Sequence, residues 1–122
     1  MIKRIKLISI PVQDQDRALE FYTEKLGFTI ITDQPMGPQR WIELRIPGAE
    51  TRLALFTAPG CESRIGTFTG ISLDCEDVEK THAELSKRGV VFESAPKKEP
   101  WGVFAQFNDS EGNSFVLSSS KG

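Results

Sequence analysis

The chain has 122 residues, 39% of them hydrophobic and 26% charged, with a formal net charge of −2. That length suits one domain, the apolar share excludes a disordered or fibrous chain, and interspersed charge leaves no basic stripe for nucleic acid. No segment reaches the roughly 18 to 20 apolar residues of a membrane helix, the N-terminal MIKRIKLISIPV lacks the long apolar run of a signal peptide, and Cys61 and Cys75 form no CxxC pair, so a cytoplasmic protein with free thiols is expected.

Ile5 to Val12 alternates as a strand does, with Ile8, Ile10 and Val12 on one face and Leu7, Ser9 and Pro11 on the other. Asp14 is placed to cap a helix running to about Leu26, whose Ala18, Phe21, Tyr22 and Leu26 share a face, and Gly27 ends it. A strand follows from about Phe28 to Asp33, then a loop from Gln34 to Gln39 carrying Pro35, Gly37 and Pro38. Arg40 to Ile46 reads as the third strand, with Trp41, Glu43 and Arg45 opposite Ile42, Leu44 and Ile46. Pro47-Gly48 makes a turn, and Arg52 to Thr57 is the fourth strand, with Leu53 and Leu55 opposite Ala54 and Phe56.

From Ala58 to about Phe68 the pattern breaks at Pro59, Gly60, Glu62, Ser63 and Gly66, which reads as a linker. The series then restarts. Thr69 to Asp74 is a strand; Asp77 begins a helix with Val78, His82 and Leu85 on one face; Gly89 ends it. Val90 to Ser94 is a strand, Ala95 to Gly102 a loop with two prolines, and Val103 to Asn108 a strand. Asp109 to Asn113 is a turn, with Gly112 and Asn113 suited to positive φ, before a closing strand from Ser114 to Ser118. The chain is thus strand, helix, three strands, twice over, in units of about 60 residues.

Three segments carry a family resemblance: ISIPVQDQDRALEFYTEKLGF, ISLDCEDVEKTHAELSKRGVVF and FNDSEGNSFVL, in order over nearly the whole chain. They resemble the opening, middle and closing signatures of the vicinal oxygen chelate superfamily, the glyoxalase, bleomycin-resistance and extradiol-dioxygenase relatives. Ser110 stands where that pattern often has proline. The resemblance implies an α+β fold: two βαβββ modules, residues 4–57 and 69–120 of one domain (1–122), joined by a linker (58–68). They would form a curved, cup-shaped mixed sheet with helices on its outer face, and a homodimer is implied as well.

Enzymes of the family hold a divalent metal in the cup through His, Glu or Gln, and the metal acts as a Lewis acid on the substrate. Alignment through Val12 and Asp14 puts Leu7 at the first ligand position, and alignment through Asp77 and Val78 puts Gly70 at the second-half position. Val116 falls where the last glutamate would stand, and the remaining ligand lies near Leu55 to Thr57. Leu, Gly and Val offer no side-chain donor, so no metal and no other cofactor is expected, and the metal-dependent activities are not carried over. His82, the single histidine, sits mid-helix with no partner at ligand spacing, and the Asp109 run lacks the spacing of a calcium loop.

What remains for the cup is Ser9, Trp41, Glu43, Phe56, Ser72, Trp101, Phe104 and Gln106, an aromatic set with a few polar groups that suits a small-molecule ligand. Met36 and Arg40 would lie near the rim. No GxSxG, Walker or GxGxxG motif is present. A buried Glu43 with raised pKa is the one candidate base. Six of these residues also have a plainer use: Trp41, Phe56 and Phe104 as core, Trp101 as an anchor for its loop, Glu43 as the partner of an arginine, Arg40 as a surface charge. The expected function is binding of a small aromatic or amphipathic molecule without metal, like the antibiotic-sequestering branch of the superfamily. A lyase or isomerase with a non-standard site, and a structural domain with a filled cup, are the alternatives.

Overall fold

Alternation at the N-terminal end produces β1 (Leu7–Ile10), which leads through Val12 to Asp14. The Asp14 carboxylate accepts the Arg17 N–H at 3.0 Å and so caps α1 (Gln15–Glu20). In this computed structural model, which describes residues Met1–Ser120, α1 does not continue regularly to Leu26. It widens into a π turn over Phe21–Lys25, with the Thr23 hydroxyl donating to the Leu19 carbonyl at 2.7 Å. The extra residue in that turn rotates Leu26 off the buried face, so Ala18, Phe21 and Tyr22 are buried while Leu26 is partly exposed. Gly27 then ends the helix at φ 80°.

β2 runs Thr29–Met36 and β3 Gln39–Arg45, so the expected loop at Gln34 to Gln39 is instead a hairpin turning on Gly37-Pro38. Gly37, at φ 63°, supplies the left-handed backbone that tightens the turn, while Pro35 sits on β2, an edge strand, where its missing N–H costs no ladder bond. β4 (Arg52–Leu55) inserts between β1 and β3, giving the order β1-β4-β3-β2 with β1 and β4 parallel. Ile10, Ile42, Leu44, Leu53 and Leu55 are buried with the α1 residues and form the core of this unit, which spans Met1–Ile65.

The second unit, from Gly66 onward, repeats the plan. After a short 3-10 turn at Glu62–Arg64, β5 (Phe68–Asp74) begins inside the stretch read as linker, because Phe68 already pairs with Ser114. Asp77 caps α2 (Val78–Lys87), accepting the Lys80 N–H at 3.2 Å. β6 is only Val91–Phe92, and β7 (Lys97–Glu99) lies where a loop was expected. Both pair with β8 (Gly102–Asn108), β6 at its far end and β7 at its near end. They are two pieces of one strand, separated by a stretch that includes Pro96, which has no N–H to give. β9 (Ser114–Ser119) sits between β8 and β5, parallel to β5, so the order β5-β9-β8-β6 matches the first unit. Val78, Leu85, Val103, Phe107, Phe115 and Leu117 make this unit's core.

At the β8–β9 turn Gly112 takes φ 84° while Asn113 does not, correcting the expectation for Asn113. Asn113 is held instead by its side chain: fully buried, it donates from Nδ2 to Asp109 Oδ2 at 3.0 Å and accepts the Gly66 N–H at 2.8 Å. Neighbouring Ser110 has a buried hydroxyl without a hydrogen-bond partner among the described residues.

Candidate functional site

Strand register assembles the candidate residues of the first unit on the sheet face opposite its core. Ser9, Ala54, Glu43 and Thr32 form one row across the four strands, and Leu7, Arg52, Arg45 and Thr29 form the next. Trp41 extends the same face and meets Phe56 with ring centroids 5.1 Å apart and planes at 55°. Both rings are partly exposed, and Ser9 is open to solvent.

Glu43 anchors this face. Its Oε2 accepts the indole N–H of Trp41 at 2.7 Å and its Oε1 accepts a guanidinium N–H of Arg52 at 3.0 Å. The Trp41 bond and then the Arg52 bond hold the carboxyl below its usual pKa of 4.5, outweighing burial, which acts the other way. The expected raised pKa is therefore corrected. Glu43 is an anion whose two oxygens are both engaged, which is the arginine-paired use of this residue. Since the folded-state pKa is depressed, the stabilisation from Glu43 is complete above the unfolded value near 4.5 and is lost as pH falls through the folded value. Glu43→Gln should accordingly be less stable than the parent at pH 7, by about 1 kcal/mol. The gap should close below pH 4.5, as read by urea unfolding at several pH values.

At the Trp41 end, β3 and β4 are bridged by side chains, not by their own backbones. Gln15 donates to the carbonyls of Arg40 and Leu55 at 2.6 and 2.8 Å and accepts the Arg40 N–H at 2.9 Å. Gln39 likewise exchanges two bonds with the Thr57 backbone, at 2.8 and 3.0 Å. The Thr57 hydroxyl closes the cluster on the N–H and carbonyl of Val12, each at 2.8 Å. These groups border an open concavity of about 400 Å³ that includes Val12, Gln15, Gln39 and Thr57. Sequence reading passed over Gln15 and Gln39, because a glutamine in a helix or strand carries no signal that its amide will stand in for a ladder bond. Arg40, expected as a surface charge at the rim, is clamped by both oxygens of Asp33, at 3.0 and 3.2 Å, and by Asp16.

In the second unit Ser72, Val116 and Gln106 form one row, and Asp74, Ser118 and Phe104 the next. Trp101, at the β7–β8 hairpin, is 58% exposed and stacks on Phe104 with centroids 5.8 Å apart and planes at 22°. His82 packs edge-on against Phe92, with ring centroids 4.4 Å apart and planes at 64°.

The donor set does not fit a divalent metal at the positions the family resemblance assigns. Leu7 and Val116 have no donor atoms, and the Thr57 hydroxyl is committed to the Val12 backbone. Gly70 is a glycine for a conformational reason: φ is 74° in a bulge where four steps of β5, Phe68 to Ser72, span two steps of β9. Thr69 holds that bulge, donating to the Ser114 carbonyl at 2.8 Å and accepting the Ile71 N–H at 3.1 Å. A ligating side chain at that position would meet the cost of left-handed backbone. Among the described residues no cluster of three or more His, Cys, Asp or Glu has metal-binding geometry, and no helix is long and apolar enough to cross a membrane.

Comparison with known proteins places this architecture. The family model described as glyoxalase/bleomycin resistance protein/dioxygenase superfamily matches residues 4–117. YetH of Bacillus subtilis strain 168 is 40% identical over 118 residues, covering 96% of this chain and 98% of its own. The crystal structure of TnmS3, an antibiotic binding protein from Streptomyces sp. CB03234, is 36% identical with a TM-score of 0.84, covering 97% of this chain and 96% of its own. A superfamily member from Sphaerobacter thermophilus DSM 20745 is 35% identical with a TM-score of 0.87, covering 97% and 98%. With its repeated βαβββ order and a family match over nearly its whole length, this chain belongs to the glyoxalase/bleomycin resistance protein/dioxygenase superfamily.

Proposed function

We propose that this protein binds a small aromatic or amphipathic molecule without using a metal ion, through the half-exposed aromatic faces of its sheets. The observation that carries the reading is the Trp41–Phe56 pair on the face away from the core, beside a carboxylate whose hydrogen bonds are spent inside the protein. Aromatic rings left partly open offer stacking area at small entropic cost. The engaged Glu43 fixes the indole in place and leaves the ring face for the ligand. Trp101 on Phe104 repeats the device in the second unit, with Gln106 and Ser72 on the same sheet face as Phe104. The likeness to TnmS3, an antibiotic binding protein, supports the same class of ligand. Catalysis by Glu43 has no such support, since its charge and both oxygens are already committed. A cytoplasmic homodimer is part of the proposal, and light scattering on the purified protein reads its mass.

Titration with a panel of planar aromatic compounds, followed by calorimetry, tests the reading. Trp41→Ala should weaken binding about tenfold, the loss of one stacking surface and its burial. Trp41→Phe should recover part of that loss, because an aromatic face is kept, although a smaller one without the N–H to Glu43. A panel that binds Trp41→Ala as tightly as the parent would remove the first-unit face from the site.

A further inference from the structure

The charges around that aromatic face do not balance. Arg45 and Arg52 are directly opposite each other on β3 and β4, on the same face as Glu43. Directly opposed residues of an antiparallel pair have Cβ atoms about 4.5 to 5.5 Å apart, and like charges there repel. Glu43 answers only one of them: its Oε1 bonds Arg52, and its Oε2 is taken by Trp41. Lys6 adds a third positive charge within electrostatic reach of Glu43, and its carbonyl accepts the Arg52 N–H at 3.2 Å. Arg45 itself is exposed, and among the described residues it has no ion-pair partner. Ser9 adds an exposed hydroxyl one row away, on the strand beside Arg52.

We infer that the ligand is a planar aromatic molecule carrying an anionic group, with Arg45 and the free edge of Arg52 receiving the anion while Trp41 and Phe56 stack on the rings. This rests on the small-molecule reading above and adds the ligand's charge to it. The arrangement uses each part once. Glu43 orients Arg52 and prevents the two guanidinium groups from repelling the strands apart, and the remaining positive charge is left for the ligand. An arginine fork suits carboxylate or sulfonate groups, because its coplanar, parallel N–H groups match the spacing of two such oxygens. A neutral aromatic would leave the Arg45–Arg52 repulsion in place, so charge on the ligand decides specificity here more than ring size does.

Two fluorescent probes with one ring system isolate that charge: 1-anilinonaphthalene-8-sulfonate and the uncharged N-phenyl-1-naphthylamine, titrated against the full chain. The sulfonate should bind about tenfold more tightly at low ionic strength, and that advantage should shrink as salt screens it. Arg45→Gln should weaken the sulfonate about fivefold and leave the neutral probe within about twofold. Arg45→Glu should weaken the sulfonate further. Equal affinity for both probes, or an Arg45→Gln protein that binds the sulfonate as the parent does, overturns the inference. In that event Trp41→Ala separates the two levels: if it still weakens the neutral probe, the aromatic binding site stands and only the anion is lost. If neither probe responds to Trp41→Ala, the first-unit face leaves the site, and if neither binds saturably, the small-molecule reading falls with the inference.

Discussion

Gly102→Ala should lower the stability of the protein by about 3 to 5 kcal/mol. A Cβ built at Gly102 would lie 2.1 Å from the Ser119 carbonyl oxygen and 3.1 Å from its carbon, both backbone atoms. A flexible side chain could swing aside, but the Ser119 carbonyl belongs to β9, whose pairing with Val103 is set by the ladder that runs on to Asn108. Relief therefore requires breaking the end of that ladder, where Ser119 is 3% exposed. The backbone at φ 149° adds a second penalty, since a residue with a Cβ rarely adopts it. Gly48→Ala is the control. It has positive φ, at 86°, but nothing within 4 Å of the added carbon, so only the conformational cost of about 1 to 2 kcal/mol applies. Urea midpoints of the two variants, compared at one m-value, measure the difference. A Gly102→Ala protein no less stable than Gly48→Ala would show that β9 yields at that point.

Asn113→Ala should cost about 2 kcal/mol, because one truncation removes two side-chain hydrogen bonds, the one to Asp109 being buried. The bond from the Gly66 N–H and the bond to Asp109 Oδ2 are both lost, in a place where Asn113 has no exposed surface. The carboxylate's hold on the turn remains: Asp109 Oδ1 still accepts the Glu111 and Asn113 backbone N–H groups at 2.8 and 2.9 Å. The loss should therefore fall on the tie between the β8–β9 turn and the start of β5, and show as faster amide exchange at Gly66. Asn113→Asp carries a signature that simple truncation does not. It restores an acceptor for Gly66 but sets a second carboxylate against Asp109 Oδ2. That repulsion raises the folded-state carboxyl pKa, so the deficit should be greatest at neutral pH and ease as the solution is acidified. A pH-independent deficit would mean the new side chain had turned away.

The sites of these expected effects differ in how visible they were beforehand. The Asp109 to Asn113 segment is legible as a turn, from glycine and asparagine between two alternating runs. The fact that Asn113 works through its amide, not through a left-handed backbone, depends on Gly66, which lies far away in the chain. Gly102 is legible as a glycine near two prolines and nothing more. Its necessity comes from a strand that arrives later in the chain and passes over it. Face parity was open to reading from two-residue periodicity, which is why Trp41, Glu43, Ala54 and Phe56 fall together, as do Phe104, Gln106 and Val116. Periodicity is silent on the neighbour across the ladder. Arg45 facing Arg52, and Arg52 reaching Glu43, follow from register, which a turn length or a bulge can shift.

From sequence alone came the repeated strand–helix–strand plan, the aspartate caps at Asp14 and Asp77, the ending glycines, and the absence of donor atoms at Leu7, Gly70 and Val116. All of these are properties of a residue and its near neighbours, governed by backbone preference, hydrophobic period and side-chain chemistry. Tertiary structure alone decided the charge state of Glu43, the strand-bridging amides of Gln15 and Gln39, the bulge that makes Gly70 a glycine, and the split of one strand into β6 and β7. The reason is physical: a pKa, a bridging hydrogen bond and a bulge each depend on atoms brought close by folding, and distance along the chain does not encode which atoms those will be.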